Sequence, residues 1–163
     1  MDSKLITRGA LIAALYAILT VNLGPLGFSQ VQFRISEMFM VLACFDTAAV
    51  PGLWVGCMLA NAIGIPLGFS FGMLDVTLGA AMTLLAAVAM RAIGPRWPAL
   101  TMPVITNAFG VAVVLYVAGG FPYWPSVLWV GLGEAAVMAA LGVPLFIMLK
   151  NRPSLIGLEG QGS

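Results

Sequence analysis

The sequence contains no histidine. That removes the residue most often used as a general base or metal ligand near neutral pH. Charge is also scarce. Asp, Glu, Lys and Arg together make 8% of the chain, against about 25% in an average soluble domain. So few charged groups cannot cover a water-facing surface. Only two cysteines occur, Cys44 and Cys57, each inside an apolar segment. Without a Cys-x-x-Cys pair or a histidine partner, neither a disulfide framework nor a zinc site is expected, and both read as free thiols packed as small hydrophobes. No glycine-rich loop ending in Gly-Lys-Ser/Thr is present, so ATP cannot be held by that device. HExxH is missing too, and there is no histidine to act as base, which argues against hydrolysis by the usual routes. No inverted repeat is visible, so a self-contained alternating-access carrier is not supported. The net charge of +1 is scattered, which argues against a nucleic-acid partner. No cofactor is implied.

What remains is an apolar chain. Its hydrophobic fraction is 61% and its mean hydropathy is +1.06. A helix crossing a bilayer needs about 20 mostly apolar residues. Six such segments are read, at about 5–23, 35–45, 49–65, 73–93, 100–118 and 125–149. The first stops at Gly24-Pro25. The second is short and charged at its start; with the third it could form one broken or re-entrant element. Pro51 and Pro103 fall early in their segments, where proline is tolerated, and Pro144 is expected to kink the end of the sixth. Lys4 and Arg8 before an apolar run resemble a signal peptide, but no small-x-small cleavage site follows. Residues 1–152 are expected to form one transmembrane domain, and the Gly-rich stretch 153–163 a flexible tail. With six spans, Lys4, Arg8, Arg91, Arg96, Lys150 and Arg152 all fall on one side, which should be the cytoplasm together with both termini. Arg34 alone falls on the other side. The fold class expected is thus an all-α membrane protein, a six-helix transmembrane bundle in the cell membrane.

Charge inside a membrane is costly and usually marks a function. Arg34, Glu37, Asp75 and Glu134 lie within or at the outer ends of spans. Asn22, Gln32 and Asn61 fall at the same outer level; Asn107 falls nearer the middle or inner half. Their convergence suggests one polar cavity. Simpler readings stand beside it. Arg34 and Glu37 are three apart and could bridge each other. Asp75 could only cap its helix. Glu134 has Gly131, Gly133, Ala135 and Ala136 around it, so no neighbour on its own helix can neutralise it. Asp46 reads as a helix cap or a contact with a cytoplasmic partner. Three carboxylates against one arginine favour a cationic ligand, or a neutral one with several N–H donors. The outer loops 24–32, 66–72 and 119–126 carry Phe28, Phe69, Phe71, Phe121, Tyr123 and Trp124. Tyr and Trp favour the membrane interface, so these are either anchors or an aromatic lid that brings Trp124 to the ligand. In the first helix, Ala10, Ala13, Ala14 and Ala17 make a small-residue stripe, for internal packing or for docking on a partner membrane protein.

The run Val31-Gln32-Phe33-Arg34-Ile35-Ser36-Glu37 resembles the signature of the QueT family, substrate-binding S components of energy-coupling factor (ECF) transporters. Val50-Pro51-Gly52-Leu53, Gly56-Cys57, Ala60-Asn61 and Leu74-Asp75 resemble it as well. So do Tyr123-Trp124 and Gly131-Leu132-Gly133-Glu134. The likeness runs from about Ala10 to Lys150; the first run is fairly specific and the rest is membrane-typical. It implies the six-helix S-component fold and uptake of a queuosine precursor such as 7-aminomethyl-7-deazaguanine, a cationic 7-deazapurine. It also implies a transmembrane coupling subunit, met by the alanine stripe, and two cytoplasmic ATPase subunits. Glu134 or Glu37 would then hold the amide edge and amino group. Gln32, Asn61 and Asp75 would complete the pocket, with Arg34 orienting Glu37. Other readings are an S component for another small nutrient, a membrane enzyme using Glu37 or Glu134 as acid/base, and a structural subunit that binds nothing.

Overall fold

The computed structural model describes residues 3–24 and 33–152. Gln32, most of the first outer loop and the tail 153–163 lie outside the described residues. Six helical elements follow one another, with no strand among the described residues. We label them α1 (Ser3–Asn22), α2 (Ile35–Cys44), α3 (Ala49–Gly64), α4 (Asp75–Ile93), α5 (Trp97–Gly119) and α6 (Tyr123–Asn151).

Four of the six, α1, α4, α5 and α6, are long and apolar enough to cross a bilayer. The other two are shorter, as their segments in the sequence are. α2 has 10 residues and α3 has 16. The reason lies in their surroundings. α2 has no exposed residue and packs against α1, α3, α4 and α6. A helix sheltered by protein need not match the bilayer with an apolar run of its own. It is also wound as a 3₁₀ helix, whose rise of about 2.0 Å per residue carries ten residues some 20 Å instead of about 15 Å. Phe45 to Ala48 turn the chain between α2 and α3, so the two are separate helices.

The side chains are sorted for lipid. Along α3, Gly52, Leu53, Gly56, Cys57, Ala60, Asn61 and Gly64 are buried, while Trp54, Val55, Leu59 and Ile63 face out. Small and polar groups fill the inside and large apolar groups cover the outside, as an apolar solvent requires. α1 and α3 run parallel and very close. A Cβ on Gly52 would sit 2.7 Å from the Gly9 carbonyl oxygen, and one on Gly56 2.9 Å from that of Ala13. This splits the alanine stripe. Ala13 and Ala17 are buried, whereas Ala10 and Ala14 are exposed.

The helices alternate in direction, which gives the bundle two distinct ends. At one end Arg8 meets Asp46 at 3.3 Å, Arg91 donates to the Cys44 carbonyl, and Trp97 and Phe45 both pack on Phe146. Both ends of the described chain lie there, with Lys4, Arg8, Arg91, Arg96, Lys150 and Arg152. Asp46 also accepts the Ala48 N–H at 2.9 Å, fixing the turn into α3 as a capping residue does. At the other end Phe71 meets Phe121 edge-on, and Gly119 leaves room for both rings. Gly120 stops α5 there in the left-handed region (φ +70°). Arg34 belongs to this second end, as the alternation of six spans suggested.

α4 and α6 are each interrupted by a π-helical turn, at Asp75–Gly79 and Met138–Gly142. Pro144 has no N–H for the carbonyl of Ala140, so the wider turn just before it relieves a clash that a regular helix would carry. The irregularity expected at the end of the sixth helix is therefore a π turn inside it.

A closed polar core as the candidate binding site

All six helices deliver polar side chains to one buried region. α1 brings Tyr16; α2 and the residues before it bring Arg34, Ser36 and Glu37. α3 brings Cys57 and Asn61, α4 brings Asp75 and Thr83, and α5 and α6 bring Asn107 and Glu134. Each is at most 3% exposed. In lipid a helix cannot turn such groups outward, so the bundle collects them.

Two lobes can be distinguished. In the first, the Tyr16 hydroxyl donates a short hydrogen bond to Glu37 Oε1. Asn107 Nδ2 donates to Glu134 Oε1 at 2.9 Å, and the Glu37 carboxyl lies close to the same amide and to Glu134. One amide therefore lies beside both acids. The nitrogen of Asn107 thus faces Glu134 and its oxygen faces away. Nearby, Thr20 and Ser36 share a hydroxyl–hydroxyl bond of 2.6 Å.

In the second lobe, Asp75 Oδ2 accepts from the Ser70 hydroxyl at 3.1 Å and from the Phe71 N–H at 3.4 Å. Its Oδ1 lies 3.9 Å from Arg34 Nη2. Asn61 Nδ2 donates to the Asp75 carbonyl at 2.8 Å. Cys57 Sγ is approached by the Thr83 hydroxyl at 3.3 Å, by Asn61 at 3.6 Å and by Arg34 at 3.9 Å. Gly79 makes room for this lobe: a Cβ there would sit 2.8 Å from Asp75 Oδ1. Arg34 stands between the lobes, within electrostatic reach of Asp75, Glu37 and Glu134.

Most of the site expected from sequence is brought together: Glu134, Glu37, Asn61, Asp75 and Arg34 share this core. Trp124 is not brought there. It is 71% exposed in the first turn of α6, ten residues and so about 15 Å along the helix from Glu134, and meets Tyr123 edge-on instead. Gln32 is outside the described residues. Asp75 does not cap its own helix; its carboxylate reaches back to the loop before it. Asn107 sits midway along α5 and bonds Glu134, so the core reaches deeper than the outer half of the bundle. Tyr16 and Thr83 were missed altogether. A tyrosine amid alanines in a spanning helix was the available signal, because a buried phenol needs a partner.

The core also has a surplus of one kind of atom. Among the described residues, Glu37 Oε2, Asn61 Oδ1, Asp75 Oδ1, Asn107 Oδ1 and Glu134 Oε2 are buried and accept no hydrogen bond. All five are acceptors. A buried polar atom left unmatched costs about 1–3 kcal/mol, and more where charge is involved. Five of them in one place ask for a partner that brings donors.

A multi-pass helical membrane protein with an acceptor-rich polar core is the class this fold and site define. Residues 6–151 match the family model described as QueT transporter, and the chain belongs to that family. Among curated proteins, the queuosine precursor transporter QueT of Lactococcus lactis subsp. cremoris (strain MG1363) is 36% identical over 77 residues. That stretch covers 46% of this chain and 42% of the relative, so less than half of the relative's length is matched. No solved structure matches the chain.

Proposed function

We propose that this chain is the membrane-embedded substrate-binding subunit of an ATP-driven importer for a queuosine precursor, 7-aminomethyl-7-deazaguanine or a close relative. The observation that carries the reading is the set of five acceptors on Glu37, Asn61, Asp75, Asn107 and Glu134 that accept no hydrogen bond, of which Asp75 Oδ1 faces Arg34 at 3.9 Å. A protonated amino-deazapurine is rich in N–H groups and positive, the complement of an acceptor-lined core with three carboxyl groups. The QueT relative named for queuosine precursor transport supports the same ligand.

The chain has no nucleotide-binding loop of its own, so the energy would come from partners, a transmembrane coupling subunit and two cytoplasmic ATPases. The outward-facing Ala10 and Ala14 on α1 leave a flat strip for a helix of the coupling subunit, while Ala13 and Ala17 hold α1 to α3. The end rich in Lys and Arg would face the cytoplasm of a prokaryotic cell membrane, with both termini. Phe71 and Phe121 would form part of the cover over the outer end.

The test is mass spectrometry of ligand extracted from protein purified from membranes, paired with thermal melting in detergent. A 7-deazaguanine should be recovered, and micromolar 7-aminomethyl-7-deazaguanine should raise the melting temperature. A different nutrient in the extract, with no melting shift from the deazapurine, refutes the substrate.

A further inference from the structure

The five open acceptors are not distributed evenly. Three of them, Glu37 Oε2, Asn107 Oδ1 and Glu134 Oε2, belong to the lobe in which one amide lies beside two acids. Two, Asn61 Oδ1 and Asp75 Oδ1, belong to the lobe beside Arg34. In both lobes, bonds to the protein occupy the other polar atom of each group. Tyr16 takes Glu37 Oε1, Asn107 Nδ2 takes Glu134 Oε1, Asn61 Nδ2 takes the Asp75 carbonyl, and Ser70 and Phe71 take Asp75 Oδ2. The open atoms are therefore fixed by the protein and are not free rotamers.

We propose that the Glu37–Asn107–Glu134 lobe is a subsite for a primary ammonium group, and that Asn61 and Asp75 form a separate subsite for a flat edge with two N–H donors. An ammonium has three N–H bonds and one positive charge, which matches three acceptors on two carboxylates and one amide. A planar amidine-like edge offers two parallel donors, which matches the pair on Asn61 and Asp75. Arg34 beside Asp75 disfavours a second cation in that lobe, so the ligand enters in one orientation. Tyr16 and Asn107 are positioning residues. Each holds an acid so that its second oxygen is left for the ligand.

This inference rests on the deazapurine reading, and three probes separate the two. Equilibrium binding to the full chain in detergent is compared for 7-aminomethyl-7-deazaguanine, 7-cyano-7-deazaguanine and 7-deazaguanine. The wild-type protein should bind the first roughly tenfold to a hundredfold more tightly, the span of one charge-assisted contact. Glu134→Gln should erase that preference, whereas Asp75→Asn should weaken all three alike. Melting of each apo variant checks that it is folded, and the wild-type comparison stands without any variant. Equal wild-type affinity for the three probes overturns the ammonium subsite and leaves the deazapurine reading intact. So does an equal loss for all three in Glu134→Gln. Failure of the wild type to bind any of them overturns both.

Discussion

At Tyr16 a single hydroxyl decides how Glu37 is presented. The ring is fully buried between α1 and α2, and its O–H has the Glu37 carboxyl as its partner. Tyr16→Phe keeps the ring packing and removes only that donor. Glu37 Oε1 is then left buried without a partner, and the expected loss of stability is about 1–3 kcal/mol, read from melting in detergent. Tyr123→Phe is the matched control. Its hydroxyl is exposed and lies 3.4 Å from the Phe109 carbonyl, so a change below about 0.5 kcal/mol is expected. Comparable losses in the two variants would show that the buried bond has no special weight. The carboxyl groups themselves were legible in the sequence, because Glu134 sits among glycines and alanines where nothing local can neutralise it. Tyr16 was not. In sequence it stands between Leu15 and Ala17, inside a stripe of small residues that reads as packing. Only the antiparallel approach of α2 brings a carboxylate to it.

Among the elements, α1 and α3 depend on the missing side chains of Gly52 and Gly56. Gly56→Leu would drive a side chain into the Ala13 backbone and the Tyr16 Cβ, both about 2.9 Å from the first added carbon. Overpacking of this kind costs about 1–3 kcal/mol, and the melting temperature should fall accordingly. Ala14→Leu, on the exposed face of the same helix, should leave melting unchanged within about 0.5 kcal/mol. Under the docking proposal it should nonetheless abolish uptake in cells carrying the full transporter. Normal uptake by Ala14→Leu would remove α1 as the docking helix. Helix boundaries were largely legible: α1 stops at Asn22, just before Gly24, and Pro51 falls in the first turn of α3. The length of α2 could be read as well, but not its meaning. Ten residues are too few to span a bilayer, and nothing in the local pattern says that neighbours shelter them and that 3₁₀ winding stretches them.

For the whole molecule, the alternation of six helices sets six of the seven Lys and Arg residues at one end and Arg34 at the other. Single cysteines introduced at Ser3, Asn151 and Trp124 test this with a membrane-impermeant thiol reagent, because native Cys44 and Cys57 are buried. In intact cells only the probe at residue 124 should react; in inverted vesicles those at 3 and 151 should. The opposite pattern would place the basic end outside. A further consequence follows from Asp75. One of its oxygens latches the loop at Ser70 and Phe71, and the other faces the polar core. Under the proposed function, cover and cargo would thus pull on the same carboxyl. A solute settling inside would tighten the outer door, and prying that door open would slacken the grip within.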